Sequence, residues 1–173
     1  MRSENSAAEY AVHVTDTALA DRRDFSDGGE VFMSYAEQLQ SILEQYRADI
    51  DHLEKTRKPT DGLLGFGKKP GDDACHELMD RQAGALLEQL AQDPGAAEIP
   101  DVMRLVFAAG ADASWPGYAH WALLAVQRHI LPLIPRLAPA EAAELSRLYD
   151  GLCPKRERMP VQKQIAKALA RGS

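Results

Sequence analysis

Apolar positions in the first half of the chain recur at helical intervals. Val31, Tyr35, Leu39, Ile42, Tyr46, Ile50 and Leu53 are separated by 4, 4, 3, 4, 4 and 3 residues, which draws one apolar stripe along a helix of roughly seven turns. Glu37, Glu44, Asp49, Asp51 and Glu54 fall off that stripe. Lys55, Arg57 and Lys58 follow them, a placement that suits the negative C-terminal end of a helix dipole. Pro59 stops the helix, because proline disfavours helical geometry in the residue before it. The repeat lasts only about three heptads, so packing on its own domain is the expected use and self-association through this helix the alternative.

The same period returns along the rest of the chain. Cys75, Leu78, Met79, Leu86, Leu87 and Leu90 predict a second helix, capped by Asp72 or Asp73 and ended by Asp93-Pro94-Gly95. A third is predicted over 98–109, with Val102, Met103, Val106 and Phe107 facing inward and Gly110 as its C-cap. Ser114 is placed to cap a fourth, with Pro116 in its first turn. From 118 to 130 this fourth helix is apolar nearly all round, through Trp121, Ala122, Leu123, Leu124, Ala125 and Val126. A helix without a wet face belongs at the centre of a bundle. Pro132 and Pro135 end or kink it.

Pro139 opens a fifth helix through Leu148, closed by Asp150-Gly151. Pro160 opens a sixth over 161–170, with Val161, Ile165, Ala168 and Leu169 as its inner face. No segment alternates as a strand would, and no repeat of fixed period is present. Residues 1–28 read as an irregular arm; a short helix over 7–20 is weakened by the β-branched Val12, Val14, Thr15 and Thr17. The expected fold is all-α: a single-domain bundle of five to seven helices over 29–173, with one long N-terminal amphipathic helix and a nearly all-apolar central helix.

Composition narrows the function classes. The 173 residues are 45% hydrophobic and 27% charged, the balance of an ordinary globular protein. Asp and Glu outnumber Lys and Arg by 26 to 20, for a net charge of −6, so a nucleic-acid partner, which is held by neutralised phosphates, is not expected. Two cysteines, Cys75 and Cys153, cannot build a disulfide scaffold or a four-thiolate zinc site. The longest largely uncharged stretch, 105–127, is interrupted by Asp112 and by Trp115-Pro116-Gly117. Neither a membrane span nor a targeting segment is expected, and the location implied is cytoplasmic.

Charge is unevenly placed. Residues 1–85 carry 17 acidic and 10 basic side chains, net −7; residues 86–173 carry 9 and 10, net +1. The last 23 residues hold Lys155, Arg156, Arg158, Lys163, Lys167 and Arg171 against Glu157. This basic end is expected to be a solvated face packed near the acidic first helix. No aromatic residues interleave its charges, so a nucleic-acid surface is the weaker reading.

Four candidate chemistries arise. The loop running from Gly62 to Gly67, Lys68 and Lys69 approaches the G-x-x-x-x-G-K-[S/T] phosphate cradle. That motif needs a preceding strand, a hydroxyl residue for magnesium and an immediate helix. Here a helix precedes, Lys69 replaces the hydroxyl and Pro70-Gly71 intervenes. Leu63, Leu64 and Phe66 in the loop still require burial, under the long helix or against another protein.

Asp72, Asp73, Cys75, His76, Glu77 and Asp80 form the densest set of possible metal ligands. Aspartates also collect at helix starts for capping, and no second His/Cys cluster supplies the remaining ligands, so no metal or other cofactor is expected. His120 and Gln127, two turns apart on the apolar fourth helix with Arg128 and His129 adjacent, read first as a buried histidine satisfied by a neighbour; a polar pocket ringed by Trp115, Tyr118 and Trp121 is the alternative. No nucleophile sits in a recognisable elbow, and nothing in the sequence gives positive support for catalysis.

The leading expectation is a non-catalytic, acidic, protein-binding module, most concretely an inhibitor or immunity-type protein that neutralises a basic partner. Its contacts are expected from Glu37, Glu44, Asp49, Asp51 and Glu54, with Leu63, Leu64 and Phe66 as apolar anchors. The competing expectation is a helical enzyme or small-ligand or metal-binding protein that uses the pocket near His120 or the Asp72–Asp80 cluster.

Overall fold

The chain enters its first helix through a capping box. Ser34 Oγ accepts the Glu37 N–H at 3.1 Å, and the Glu37 carboxylate accepts the Ser34 N–H at 2.8 Å, so two orphan donors are satisfied reciprocally. Helix α1 therefore spans Tyr35–Thr56, 22 residues, and begins later than the apolar repeat alone predicts. The computed structural model describes residues 33–56 and 72–172, without the side chains of Asp72 and Asp73. Val31, the expected arm with its 7–20 helix, and the Gly-rich loop with Leu63, Leu64 and Phe66 lie outside that description.

The described residues form an all-α bundle: α2 (Asp72–Gln92), α3 (Ile99–Ala111), α4 (Gly117–Val126), 3-10 turns at Gln127–Ile130 and Ile134–Arg136, α5 (Pro139–Leu152) and α6 (Pro160–Gly172) follow α1. The described residues include no strand. Helix α1 packs on α2 and α3; α6 packs on α5 and both 3-10 turns. The basic end thus has α5, not the acidic α1, as its main neighbour, contrary to the sequence expectation. One of its cations is largely withdrawn from solvent. Arg158 donates to Asp150 Oδ1 at 2.5 Å and to the Cys153 carbonyl at 2.9 Å, so it neutralises α5 instead of adding to a surface patch.

The core is made by the stripes the sequence predicts. Leu39, Tyr46 and Ile50 of α1 are buried, as are Met79, Leu86, Leu87 and Leu90 of α2 and Val102, Met103, Val106 and Phe107 of α3. Each large aliphatic contributes about 1.5–3 kcal/mol of burial. Phe107 and Tyr149 meet at 4.5 Å between ring centroids, joining α3 to α5.

Three ends differ from expectation. Gly110 is not a cap but lies buried inside α3. Ser114 does not cap α4: its Oγ accepts from Arg47 at 2.9 Å, its N–H turns back to Asp112 Oδ1 at 2.8 Å, and no side chain caps that helix. Asp150-Gly151 does not close α5, which runs on to Leu152. The C-terminal end of α2 is closed from a distance. Arg136, 43 to 46 residues downstream, donates to the carbonyls of Leu90 at 2.6 Å, Ala91 at 3.0 Å and also Asp93, satisfying acceptors that have no intrahelical partner.

Helix α4 is not the dry centre of the bundle. Ala119, Leu123 and Val126 are buried, but Trp121 is 57% exposed and Ala125 is exposed beside it. Its all-round apolar sequence leaves an apolar outer face instead of a buried one.

Candidate functional site

Helix geometry sorts the acidic residues of α1. Glu37, Glu44 and Asp51 are spaced seven apart, almost two full turns each, and so share one line along the helix. All three are exposed, on the side opposite buried Leu39, Tyr46 and Ile50. Glu37 is held by the capping box, and Glu44 accepts from the Gln40 amide at 2.9 Å. Asp49, on the flank, accepts from Gln45 at 2.8 Å. Among the described residues no cation pairs with Glu37, Glu44, Asp49 or Asp51; the arginine pairs fall on Asp80, Asp101, Asp112, Glu144 and Asp150. Glu54 points elsewhere, accepting the Tyr118 hydroxyl of α4 at 2.5 Å. The structure therefore aligns three of the five expected contact carboxylates, sets Asp49 beside them and commits Glu54 to a tertiary bond.

A second group joins α1 to the start of α4. The Arg47 guanidinium lies 3.4 Å from the centre of the Trp115 ring, and its Nη2 donates to Asp112 at 2.9 Å and to Ser114 Oγ at 2.9 Å. Asp112 is held below the usual carboxylate range, chiefly by hydrogen bonds from Ser114. Trp115 stacks on Tyr46 at 5.3 Å between centroids, and the Tyr46 hydroxyl lies 2.7 Å from His76 Nδ1. This is a packed aromatic–cation stack that fixes the α1–α4 contact.

Of the candidate metal ligands of α2, the side chains of Asp72 and Asp73 lie outside the described residues, and His76 and Asp80 diverge. His76 turns to Tyr46, whereas Asp80 turns to α4's extension, accepting from Arg128 at 2.5 Å with His129 Nε2 at 3.3 Å. The described residues contain no group of three or more His, Cys, Asp and Glu side chains able to hold a metal ion. His129 lies so close over Gly84 that a Cβ there would meet its Cε1 at 2.9 Å.

A recess does lie beside His120, with a wall other than the one the sequence offers. His120 and Gln127 line a recess of about 180 Å³ together with Tyr149, Cys153 and Gln162. The residues expected around it are not there: Trp115 and Tyr118 pack toward α1, Trp121 faces outward, and Arg128 and His129 go to Asp80. Gln127 is 2% exposed and Gln162 5%. Tyr149 donates to Gln127 Oε1 at 3.2 Å. Burial, with the neighbouring Cys153 thiol and against the pull of Arg158, raises the Tyr149 phenol above the ordinary range.

Sequence reasoning missed Tyr149 and Gln162. The signal for Gln162 was present, since Gln162, Ile165 and Leu169 fall on one face of α6 and all are buried.

No helix among the described residues is long and apolar enough to cross a membrane. No protein-family model, curated protein or solved structure matches the chain.

Proposed function

We propose that this protein is a non-catalytic binding module that docks through the acidic face of α1 onto a basic protein, acting in the cytoplasm as an inhibitor or immunity-type neutraliser of that partner. The observation that carries the reading is the exposed line Glu37, Glu44 and Asp51, which no cation of the described residues neutralises. Glu37 has a folding role as part of the capping box, but neither Glu44 nor Asp51 pairs with a cation among the described residues, and lining up like charges adds repulsion. It does raise the encounter rate with an oppositely charged surface.

Exposed Trp121 supports the same reading. Tryptophan is enriched among the residues that anchor protein interfaces, and Trp121 sits one turn beyond Tyr118, which is tied to Glu54 of α1. The 57% exposure leaves most of the indole to be covered by a partner.

The test is retention of a basic partner from native lysate at low and at high salt by the natural protein and by the E44K/D51K double variant, with Glu37 kept because it caps the helix. The expected result is a basic protein co-purifying at low salt, released by salt and lost in the variant, with unchanged circular dichroism. Recovery of the natural protein without a partner at low salt, or equal retention by the variant, would overturn the reading.

A further inference from the structure

The recess behind Gln127 carries two hydrogen-bond donors that the fold orients and then leaves unused. Gln162 must turn its amide oxygen to the Met159 N–H, which donates to it at 2.8 Å. Gln127 turns its own oxygen to the Tyr149 hydroxyl at 3.2 Å. In both side chains the oxygen is occupied, so the NH2 group is fixed facing the other way, and among the described residues neither NH2 has a hydrogen-bond acceptor.

Both residues are more than nine-tenths buried. A sealed, unpartnered amide nitrogen would be costly, but the described residues include no fully enclosed side-chain nitrogen or oxygen without a partner. Each NH2 therefore opens on accessible space, and the space both residues line is the same recess.

The rest of the wall defines what would fill it. Phe107, Leu124 and Leu152 are apolar, and His120, Cys153 and Glu157 are also part of the lining. The nearby guanidinium of Arg158 is already paired with Asp150 at 2.5 Å. An anion would meet the Glu157 carboxylate and find no free arginine to offset its desolvation, His120 being the single lining group able to take a positive charge. A neutral carbonyl oxygen accepts from amide NH2 groups without that cost. The volume, about 180 Å³, is below the 300–1,000 Å³ typical of drug-sized ligands, so the occupant is no larger than a single ring with a short substituent.

We infer that this recess is a binding site for a small uncharged carbonyl compound, a primary or secondary amide or a ketone on an apolar body, whose oxygen is received by the amide groups of Gln127 and Gln162.

The probe is benzamide, with benzoate as the charged counterpart of the same shape, titrated into the full-length protein and followed by two-dimensional amide NMR. The expected result is a saturable shift of the Gln127 and Gln162 side-chain NH2 signals by benzamide, with benzoate weaker by about tenfold or more. Q127L keeps the bulk and removes the donor, and should weaken benzamide by about tenfold, the loss of one good hydrogen bond. Because Q127L also strands the Tyr149 hydroxyl and can unfold, A111L provides a second arm. Ala111 lines the recess and is only partly buried, so a larger side chain there fills the space, leaves both amides in place and should abolish the shifts. Absence of any shift up to the solubility limit of benzamide overturns the inference. So do shifts confined to other parts of the molecule, equal binding of benzoate, or undiminished binding by A111L.

Discussion

Replacing Gly110 by alanine should destabilise the protein, although the same change inside a helix ordinarily stabilises it by about 1 kcal/mol. The reason is the carboxamide of Gln127, which lies across the glycine. A Cβ at Gly110 would stand 2.3 Å from Gln127 Nε2 and 3.4 Å from its Cδ, with Leu124 Cδ2 at 3.5 Å. The side chain of Gln127 is buried and its oxygen receives the Tyr149 hydroxyl, so it retreats only by giving up that bond. Overpacking costs about 1–3 kcal/mol, and an unpaired phenol about as much. The two costs are alternatives, so set against the propensity gain of about 1 kcal/mol the net loss is up to about 2 kcal/mol.

A double-mutant cycle isolates the cause. In a Gln127→Ala background the obstruction is gone, and Gly110→Ala should become stabilising by up to about 1 kcal/mol, a coupling of about 1–3 kcal/mol between the sites. Gly151, an exposed α5 residue with nothing within 4 Å of a Cβ, is the control, and its alanine variant should be neutral or stabilising. Urea unfolding followed by far-UV circular dichroism measures all four variants, with unchanged m-values required. If Gly110→Ala raises the midpoint as Gly151→Ala does, or destabilises equally with and without Gln127, the packing argument fails.

Other outcomes follow from the same contacts. Arg136→Ala strips three carbonyl contacts from the end of α2 and should cost about 2–4 kcal/mol, charge-assisted bonds being stronger than neutral ones; a change below about 0.5 kcal/mol in urea unfolding would show that the contacts are incidental. Tyr149 has a folded pKa raised above its ordinary 10.0 by burial, so the stability it supplies is complete below pH 10 and is lost as pH rises past that value. Spectrophotometric titration should show the Tyr149 phenol resisting ionisation until the protein unfolds, and its ionisation alongside exposed tyrosines in the folded state would contradict the burial. Trp115→Ala should cost about 3–5 kcal/mol and Trp121→Ala within about 0.5 kcal/mol. Acrylamide should quench one tryptophan freely and the other hardly at all; equal quenching would refute that contrast.

The helices were readable in the sequence because their inner faces repeat at helical intervals, and Leu39, Tyr46 and Ile50 are buried where that repeat puts them. The start of α1 was readable too, from Ser34 and Glu37 three residues later, but the apolar period extends past the cap to Val31 and obscures it. Gly110 looked like a cap because glycine at a predicted helix end usually is one. Its reason for being glycine lies in Gln127, 17 residues on, which no local pattern reveals. Likewise, α4 is apolar on every side, and composition cannot say which side meets the bundle. The recess was half legible: His120 and Gln127 share a face of one helix, but Tyr149 and Gln162 arrive from α5 and α6. The acidic line was the most local of the features, since seven-residue spacing on a confirmed helix suffices to align Glu37, Glu44 and Asp51.

The clamp that Arg136 places on α2 also bears on the order in which the chain becomes structured. During synthesis the last turn of α2 is made more than forty residues before the guanidinium that completes it, so that turn stays frayed until the 3-10 segment at Ile134–Arg136 emerges and docks. Afterwards the two segments share one opening equilibrium. Hydrogen exchange at Gln92 and at Leu137 should then report the same event, although they stand far apart along the polypeptide.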